Sequence, residues 1–207
     1  MELVRDVEAL KDRDSYENLI YSSDYIHNFF RAIETYRVFS DEIQDKRCLE
    51  IGSGPIGVLA LTPWIKKRII IDPLLREFKK FQLDYFGKTF FTDDIEAYSQ
   101  NAELFTPSLE DSITGFIITR NALDHCEDPW KILENISRYA CSGCKLLLWT
   151  DLWHLKDALG NEHRNITKDV DGFEKRIKDF GFRINRTFSD VRPDKPTIEY
   201  GCVATKP

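Results

Sequence analysis

The sequence lacks the surplus of basic residues that proteins use to bind nucleic acids. Its 207 residues carry 29 Lys and Arg against 35 Asp and Glu, which gives a formal net charge of −6. A surface of this charge repels polyanions. Long hydrophobic runs are also missing, since the longest uncharged stretch, Ile51 to Ile65, holds 15 residues with three Gly and two Pro. A bilayer span needs about 20 apolar residues, so we expect neither a nucleic-acid partner nor a membrane partner.

An export signal is not recognisable in the first residues, MELVRDVEALKDRD, which are charged throughout. The five cysteines are odd in number, as expected for free thiols in a reducing compartment. We therefore expect a cytoplasmic protein. Cys141 and Cys144 form a C-x-x-C motif in a predicted turn, but two further zinc ligands at suitable spacing are not evident. The sequence therefore predicts no metal site.

Internal repeats, low-complexity tracts and Gly- or Pro-rich linkers are missing as well. Residues 1–45 are predicted to form an N-terminal helical cap, because Tyr25, Phe29, Ile33 and Tyr36 recur at steps of three and four. This helical segment is expected to pack on the domain, and it could also serve as a lid over a ligand cleft. Residues 46–207 are predicted to form the main domain.

Strand and helix patterns alternate from Arg47 onward, which predicts a mostly parallel sheet covered by helices on both faces. The predicted strands are RCLEIG, RIIID, TFFTDD, GFIITR and KLLLWT, and the predicted helices are GVLALTPWIKK, PLLREFKKFQLDYFG, IEAYSQNAELF, DPWKILENISRYA and TKDVDGFEKRIKDFG. Only VRPDKP separates FRINRTFSD from TIEYGCVAT, so these two strands must form an antiparallel hairpin. The predicted fold class is α/β, a Rossmann-like three-layer sandwich whose seven-stranded sheet is closed by this hairpin.

The segment LEIGSGPIG contains a glycine-rich loop between a predicted strand and a predicted helix. Gly52, Gly54 and Gly57 form G-x-G-x-x-G, which lets backbone N–H groups approach a ligand closely. Asp72 ends the next strand, 20 residues beyond Gly52, at the spacing of a carboxylate that binds a ribose diol. Nicotinamide or flavin dinucleotides and S-adenosylmethionine both use this geometry. The acidic Glu50 would repel a pyrophosphate, which favours the cationic S-adenosylmethionine.

Several motifs in a fixed order give the chain a family resemblance. With LEIGSGPIG, IIIDPL, FFTDDIE, GFIITRNALDHCEDP and CSGCKLLLW in this order, residues 45–205 resemble the class I S-adenosylmethionine-dependent methyltransferases, most closely the type 11 methyltransferase-domain group. The resemblance implies that the backbone of Gly52, Ser53 and Gly54 faces the methionine part of the cofactor. It also implies that Glu50 lies near the ammonium group, directly or through water.

The same resemblance implies the remaining cofactor contacts. Asp72 would accept hydrogen bonds from both ribose hydroxyls, and the adenine would lie between neighbouring side chains and backbone at the ends of the second and third strands. Asp94 would accept from the adenine amino group, with Asp93 as the alternative. The other implied contacts are Pro73 and Leu74 beside the adenine, the Ile95 N–H to a ring nitrogen, and Arg120 and Asn121 near the sulfonium.

The resemblance implies that the methyl acceptor is bound near the ends of the predicted fourth and fifth strands. A hydroxyl or ammonium acceptor also needs a base. His125, in NALDHCEDP, is the best-placed base, and the alternative is that it braces the loop. Trp153 and His154 could line the acceptor pocket or could belong to a surface loop. The predicted function is methyl transfer to a small-molecule or sugar-like acceptor. A non-catalytic methyltransferase-like module and an NAD-dependent oxidoreductase are the alternatives.

Overall fold

The structure is a computed structural model that describes residues 41–55, 57–154, 164–191 and 197–207. The predicted helical cap lies outside these ranges, except for a 3-10 turn at Asp41–Ile43. The division into residues 1–45 and 46–207 therefore stays a prediction. Within the described ranges, no helix combines the length and the apolar character that a bilayer crossing requires.

A single seven-stranded sheet with the strand order β3-β2-β1-β4-β5-β7-β6 organises the chain. The first five strands run parallel, whereas β7 pairs antiparallel with both β5 and β6. The predicted fold class and its closing hairpin are thereby confirmed. The strands are β1 (Arg47–Ile51), β2 (Lys67–Ile71), β3 (Ile95–Tyr98), β4 (Phe116–Arg120), β5 (Lys145–His154), β6 (Arg183–Val191) and β7 (Thr197–Thr205).

Helices cover both faces of the sheet and create two hydrophobic cores. The three described α-helices are α1 (Leu75–Phe86), α2 (Pro129–Tyr139) and α3 (Val170–Asp179). Helices α2 and α3 pack against one face, and α1 packs against the other face together with residues 58–65. Side chains alternate between the two faces of a strand, so Ile69 and Ile71 enter one core while Ile70 enters the other. This double burial explains why β2 is an uninterrupted apolar run.

Helix boundaries follow the local signals in the sequence. The carboxylate of Asp128 accepts hydrogen bonds from the N–H groups of Trp130 and Lys131, with Pro129 in the first turn of α2. Helix α1 ends at Gly87, which adopts the left-handed conformation with φ of 66°. Both boundaries agree with the predicted helices DPWKILENISRYA and PLLREFKKFQLDYFG.

The third strand was predicted at TFFTDD, and this prediction is wrong. The strand is Ile95–Tyr98, which belongs to the segment that we expected to be helical. The side chain of Gln82 explains the difference, because its Oε1 accepts from the hydroxyl of Thr89 and the N–H of Phe90. The segment is thereby tied to α1, and Phe91 buries its ring in the core on that side of the sheet.

The predicted helix GVLALTPWIKK is also wrong, because the structure forms only a 3-10 turn at Leu59–Leu61. The carbonyl of Leu59 accepts from the backbone and hydroxyl of Thr62 and from the guanidinium of Arg68. Residue 63 is a proline, which has no N–H to close an α-helical turn onto that carbonyl. The chain therefore passes from the glycine loop to β2 without a regular helix.

Strand β5 is longer than the predicted KLLLWT and continues to His154. Trp153 and His154 were expected to line the acceptor pocket or to belong to a surface loop, but they form the last two residues of this strand. Both pair with β7, Trp153 opposite Ile198 and His154 opposite Thr197. Backbone pairing therefore fixes the position of the two predicted acceptor residues.

Candidate functional site

The glycine loop, Asp72 and Asn121 follow the carboxyl ends of β1, β2 and β4. The strand order reverses between β1 and β4, since β2 follows β1 on one side and β4 lies on the other. Ligands of open α/β sheets bind in the crevice that such a reversal leaves at the carboxyl edge. The structure thus brings the predicted loop and the predicted ribose carboxylate to one edge of the sheet.

The carboxylate of Asp72 ties the glycine loop to the start of α1. Its Oδ2 accepts from the N–H of Gly54 at 2.9 Å and from the hydroxyl of Ser53 at 3.3 Å, and its Oδ1 accepts from the N–H of Leu74 at 2.8 Å. Burial raises the pKa of this carboxyl, against these hydrogen bonds, which lower it. A carboxylate has about four acceptor positions, so capacity for a further donor remains on Oδ1.

Glu50 holds the segment that follows the glycine loop. Its two carboxylate oxygens accept from the N–H groups of Val58 at 2.9 Å and Leu59 at 2.8 Å. Burial raises the pKa of Glu50 to about 7, although these two hydrogen bonds and the charge of Arg120 lower it. The carboxylate thus braces the backbone, and the predicted contact with a cofactor ammonium would have to use its remaining lone pairs.

Two glycines of the loop are required by close packing. A Cβ at Gly57 would lie 2.6 Å from Oε2 of Glu50, and a Cβ at Gly52 would collide with Cβ of Ala122 in the loop after β4. Gly52 also has a φ of 70°, which L side chains rarely adopt. The loops after β1 and β4 are therefore in direct contact at the crevice.

Gly54 differs from these two glycines because it borders open space. A Cβ added there would meet no atom of the described residues within 4 Å, although its φ of 61° also favours glycine. Its N–H nevertheless donates to Asp72. Among the described residues, the structure thus leaves space at Gly54 next to the buried carboxylate of Asp72.

Arg120 and Asn121 lie at the end of β4, next to the glycine loop. Asn121 adopts a φ of 48°, a left-handed conformation that asparagine tolerates better than most residues, and its N–H donates to the carbonyl of Trp149. Arg120 lies close enough to Glu50 for its positive charge to lower the pKa of that carboxyl. Both residues stand at the edge where the sequence predicted them.

The residues expected beside the adenine are only partly brought together. Pro73 is exposed at the carboxyl edge, and Ser99 follows β3 and donates to its carbonyl at 3.4 Å. Leu74 is buried in the core with Ile70 and Phe78, so its side chain packs inward. Pro73 therefore remains a candidate for the adenine contact, whereas the structure directs Leu74 into the core.

The structure contradicts the placement of Asp94 and Ile95 at the cofactor. Ile95 begins β3 and pairs with Arg68 near the start of β2, whereas Asp72 and the glycine loop follow the opposite ends of their strands. Asp94 forms an ion pair with the buried guanidinium of Arg68. Its hydrogen bond with Thr92, followed by that with Arg68, lowers its pKa below the usual value. This pair stabilises the amino edge of the sheet.

Residues that the sequence reasoning missed occupy the carboxyl end of β3 instead. Tyr98 ends the strand and its carbonyl accepts from the N–H of Asp72, and Ser99 and Gln100 follow. Ser99 and Gln100 are half-buried. The signal in the sequence was the apolar and polar alternation of IEAY after the TDD turn, which we assigned to a helix.

The side chains of Asp124, His125 and His154 come together at the ends of β4 and β5. Asp124 lies in a 3-10 turn at Leu123–His125, and its side chain is fully buried. Its Oδ2 lies 3.7 Å from Nε2 of His125 and 3.6 Å from Nε2 of His154. The side chain of His125 is 37% exposed and that of His154 only 4%. The structure thus brings the predicted base and a predicted acceptor residue to one carboxylate.

Trp153 does not join this group. It follows Leu152 and precedes His154 along β5, so the alternation of side chains directs it to the other face from His154. The ammonium of Lys168 lies 4.0 Å from the centre of its ring, in a cation–π contact. The predicted role of Trp153 at the acceptor therefore stays a prediction, without support from the contacts of the described residues.

Comparison with known proteins shows the fold of the chain but does not assign it to a sequence family. No protein-family model matches the chain, and no curated protein matches it either. Among solved structures, the N-methyltransferase NodS from Bradyrhizobium japonicum WM9, in complex with S-adenosylhomocysteine, is similar with a TM-score of 0.71 and 11% identity, over 100% of this chain and 99% of that chain.

Two further solved structures show the same similarity. A complex between the Trm112 methyltransferase activator and a methyltransferase of Haloferax volcanii gives a TM-score of 0.65 at 13% identity, over 98% and 97% of the two chains. The phosphoethanolamine N-methyltransferase 2 of Haemonchus contortus, with S-adenosylhomocysteine and phosphomonomethylethanolamine, gives 0.68 at 14%, over 97% of this chain and 60% of that one. The chain has the fold of the class I S-adenosylmethionine-dependent methyltransferases.

The contact between the loops after β1 and β4 predicts a large cost for Gly52→Ala. Gly87 has a similar φ but open space around it, so Gly87→Ala measures the backbone strain alone, about 1–2 kcal/mol. We expect Gly52→Ala to lower the free energy of unfolding by about 1–3 kcal/mol more than Gly87→Ala does. Chemical denaturation provides the measurement.

Ala122→Gly provides the rescue for this experiment, because it removes the atom that the new Cβ would strike. Adding Ala122→Gly to Gly52→Ala should recover part of the lost unfolding free energy. Equal costs at residues 52 and 87, or no recovery in the double variant, would show that the two loops are not in contact.

The raised pKa of Glu50 predicts a pH-dependent stability. The native carboxyl titrates near pH 7 and the unfolded one near 4.5, so the native state binds more protons between these values. Stability from this group is therefore lost as the pH rises from 4.5 to 7, by up to about 3 kcal/mol. Glu50→Gln should lack this loss, and its unfolding free energy should rise relative to the wild type over the same window.

The exposed Glu77 provides the matched control for this measurement, since Glu77→Gln changes the same chemical group at the surface of α1. Its unfolding free energy should follow the wild type at each pH. If Glu50→Gln also parallels the wild type from pH 4.5 to 8, the buried Glu50 is not the group that we assign.

Proposed function

We propose that this protein is an S-adenosylmethionine-dependent methyltransferase that acts on a small-molecule acceptor, including sugar-like ones. The observation that carries the proposal is the position of the glycine loop and the buried carboxylate of Asp72, with space at Gly54, at the carboxyl edge where the strand order reverses. The fold of known methyltransferases supports it, and two of the similar structures hold S-adenosylhomocysteine.

The cofactor would be held by groups that the chain already orients. Asp72 would accept a ribose hydroxyl at the remaining capacity of its carboxylate, and the backbone of residues 52–54 would line the methionine part. Arg120 and Asn121 would border the sulfonium side from the loop after β4. When bound, S-adenosylmethionine supplies an electrophilic methyl group on a sulfonium.

The side chains beyond β4 and β5 would act on the acceptor. His125 is half-exposed and lies beside the buried Asp124, so its imidazole can face an acceptor and take a proton from a hydroxyl or ammonium group. His154 would support the same wall of the site from the end of β5. These residues would align the acceptor with the methyl group and remove its proton. Alignment and proton removal are the contributions that the protein makes besides the cofactor's own chemistry.

The oxidoreductase alternative is disfavoured by the sheet. Dinucleotide-binding folds of the Rossmann type are built from two parallel βαβαβ halves, whereas here β7 is inserted antiparallel between β5 and β6. The charge of Glu50 does not separate the two cofactor classes, because both of its carboxylate oxygens bind the backbone. The sheet, rather than the charge of Glu50, therefore favours methyl transfer.

A cofactor-binding measurement tests the first half of the proposal. Calorimetric titration with S-adenosylhomocysteine should give one site per chain, and NAD should give no heat. Asp72→Asn removes a hydrogen bond to a charged acceptor and should weaken the affinity about tenfold or more. Asp94→Asn is the matched control, because Asp94 lies at the other end of the sheet, and its affinity should equal that of the wild type.

Gly54→Ala provides a second variant for this measurement in case Asp72→Asn does not fold. Its Cβ would occupy the space proposed for the cofactor without striking a described residue, so it should lose affinity while its melting temperature stays close to that of Gly87→Ala. No heat with the folded wild type at millimolar S-adenosylhomocysteine would end the methyltransferase proposal and leave a non-catalytic module. Loss of affinity in Asp94→Asn would mean that the crevice has been assigned to the wrong edge.

The role of His125 is tested separately from cofactor binding. With an acceptor identified by transfer of a tritiated methyl group, His125→Ala should lower kcat by about 10²–10⁴ if the imidazole takes the proton. Its affinity for S-adenosylhomocysteine should match the wild type. An unchanged kcat would show that His125 only braces the loop, or that the acceptor needs no base.

A further inference from the structure

Asp124, Asp151 and His154 form a compact group of nitrogen and oxygen donors next to the half-exposed His125. One donor atom from each residue lies within 4.8 Å of the other two. The side chains of Asp124, Asp151 and His154 are 0%, 12% and 4% exposed, respectively. Two carboxylates beside one imidazole, all largely removed from water, form a concentration of negative charge that a cation would stabilise.

The distances within the group match the spacing of ligands around an ion. Nε2 of His154 lies 3.6 Å from Oδ2 of Asp124 and 3.6 Å from Oδ2 of Asp151. Both distances exceed the 2.7–3.2 Å of an ordinary hydrogen bond. Two ligands at tetrahedral angles, each about 2.0–2.2 Å from a shared metal ion, would be about 3.3–3.6 Å apart. The three donor atoms are therefore close enough together to be ligands of one ion.

The sheet has an irregularity that creates this arrangement. Residues three apart on a regular strand point to opposite faces, so Asp151 and His154 would normally be separated by the sheet. The pairing of β5 with β7 shifts by one residue between Asp151 and Trp153, which leaves Leu152 as the extra residue of a bulge. The bulge returns His154 to the face of Asp151. Bulges of this kind often re-aim side chains next to active sites.

Neighbouring hydrogen bonds hold two of the three residues, Asp124 and His154, in position. The hydroxyl of Thr150 donates to Oδ1 of Asp124, and the carbonyl of Asp124 accepts from the N–H of Arg164 at 2.7 Å. The N–H of His154 donates to Oδ1 of Asn165 at 2.6 Å. Such outer contacts orient metal ligands in proteins and raise metal affinity.

We propose that Asp124, Asp151 and His154 bind one divalent transition-metal ion. One imidazole and two carboxylates suit Mn²⁺, Co²⁺ or Zn²⁺ better than Ca²⁺ or Mg²⁺, which prefer oxygen ligands alone. Three protein ligands leave coordination positions open, and the half-exposed His125 marks the side that solvent reaches. Resting on the proposed methyl transfer, the open positions would hold an acceptor through an oxygen atom, which makes a hydroxyl-bearing acceptor the expected class.

Metal binding is measured without cofactor or activity. Full-length protein, stripped with a chelator and then freed of it, is titrated with Mn²⁺, Co²⁺ and Zn²⁺ alone. We expect one ion per chain with a dissociation constant in the micromolar range or below. Asp151→Asn and His154→Gln should each weaken binding at least tenfold, whereas the exposed Asp93→Asn should bind like the wild type.

A spectroscopic measurement on the wild type covers the case in which the variants do not fold. Bound Co²⁺ should shift one exchangeable imidazole N–H proton far outside the normal NMR range, from the histidine whose other nitrogen is the ligand. No binding of the three ions at 1 mM, or binding without such a shifted proton, overturns the proposal, as does undiminished binding by folded Asp151→Asn and His154→Gln. Titration with S-adenosylhomocysteine is independent of these results, so failure of the metal site and failure of the cofactor site are distinguishable.

Discussion

The hydrogen bond from the N–H of Gly54 to the carboxylate of Asp72 is the interaction on which the site depends. It joins the loop after β1 to the residue after β2, and the same carboxylate accepts from the N–H of Leu74 at the start of α1. One buried side chain therefore fixes the curvature of the glycine loop and the entry into the first helix. The glycine-rich segment has no regular helix after it, so Asp72 and Glu50 together supply the order that a helix would otherwise give. Both carboxyls are buried, and desolvation raises the pKa of each.

The sheet and its hairpin could be predicted because their signals are local. Successive isoleucines in β2 predict burial on both faces, and the short VRPDKP connection leaves only an antiparallel pairing for the last strands. The third strand could not be assigned correctly, because TFFTDD has an apolar start like a strand while Gln82, seven residues earlier, binds its backbone. Only the tertiary structure reveals that contact. Because the third strand was predicted too early in the chain, Asp94 and Ile95 were expected at the cofactor crevice, whereas they lie at the amino edge of the sheet.

The candidate site also has one part that could be predicted from the sequence and one part that could not. Gly52, Gly54 and Asp72 follow from a motif with a fixed spacing, and the structure brings them together at one edge. The grouping of Asp124 with Asp151 and His154 depends on a bulge in β5. It also depends on the turn that carries Asp124, which lies 26 residues before its hydrogen-bond partner Thr150. Neither leaves a spacing that could be recognised in the sequence. The two halves of the crevice, which we propose for a nucleoside and for an acceptor, thus differ in how far residue patterns alone can define them.

A crystal structure of the full-length protein grown with S-adenosylhomocysteine would test the central claim most directly. The account predicts density for the nucleoside at the carboxyl edge of β1 and β2, with a ribose hydroxyl within hydrogen-bonding distance of Asp72 and the amino-acid part along the glycine loop. Density at another position would contradict the account. So would a crevice at Gly54 that is filled by side chains of the protein itself.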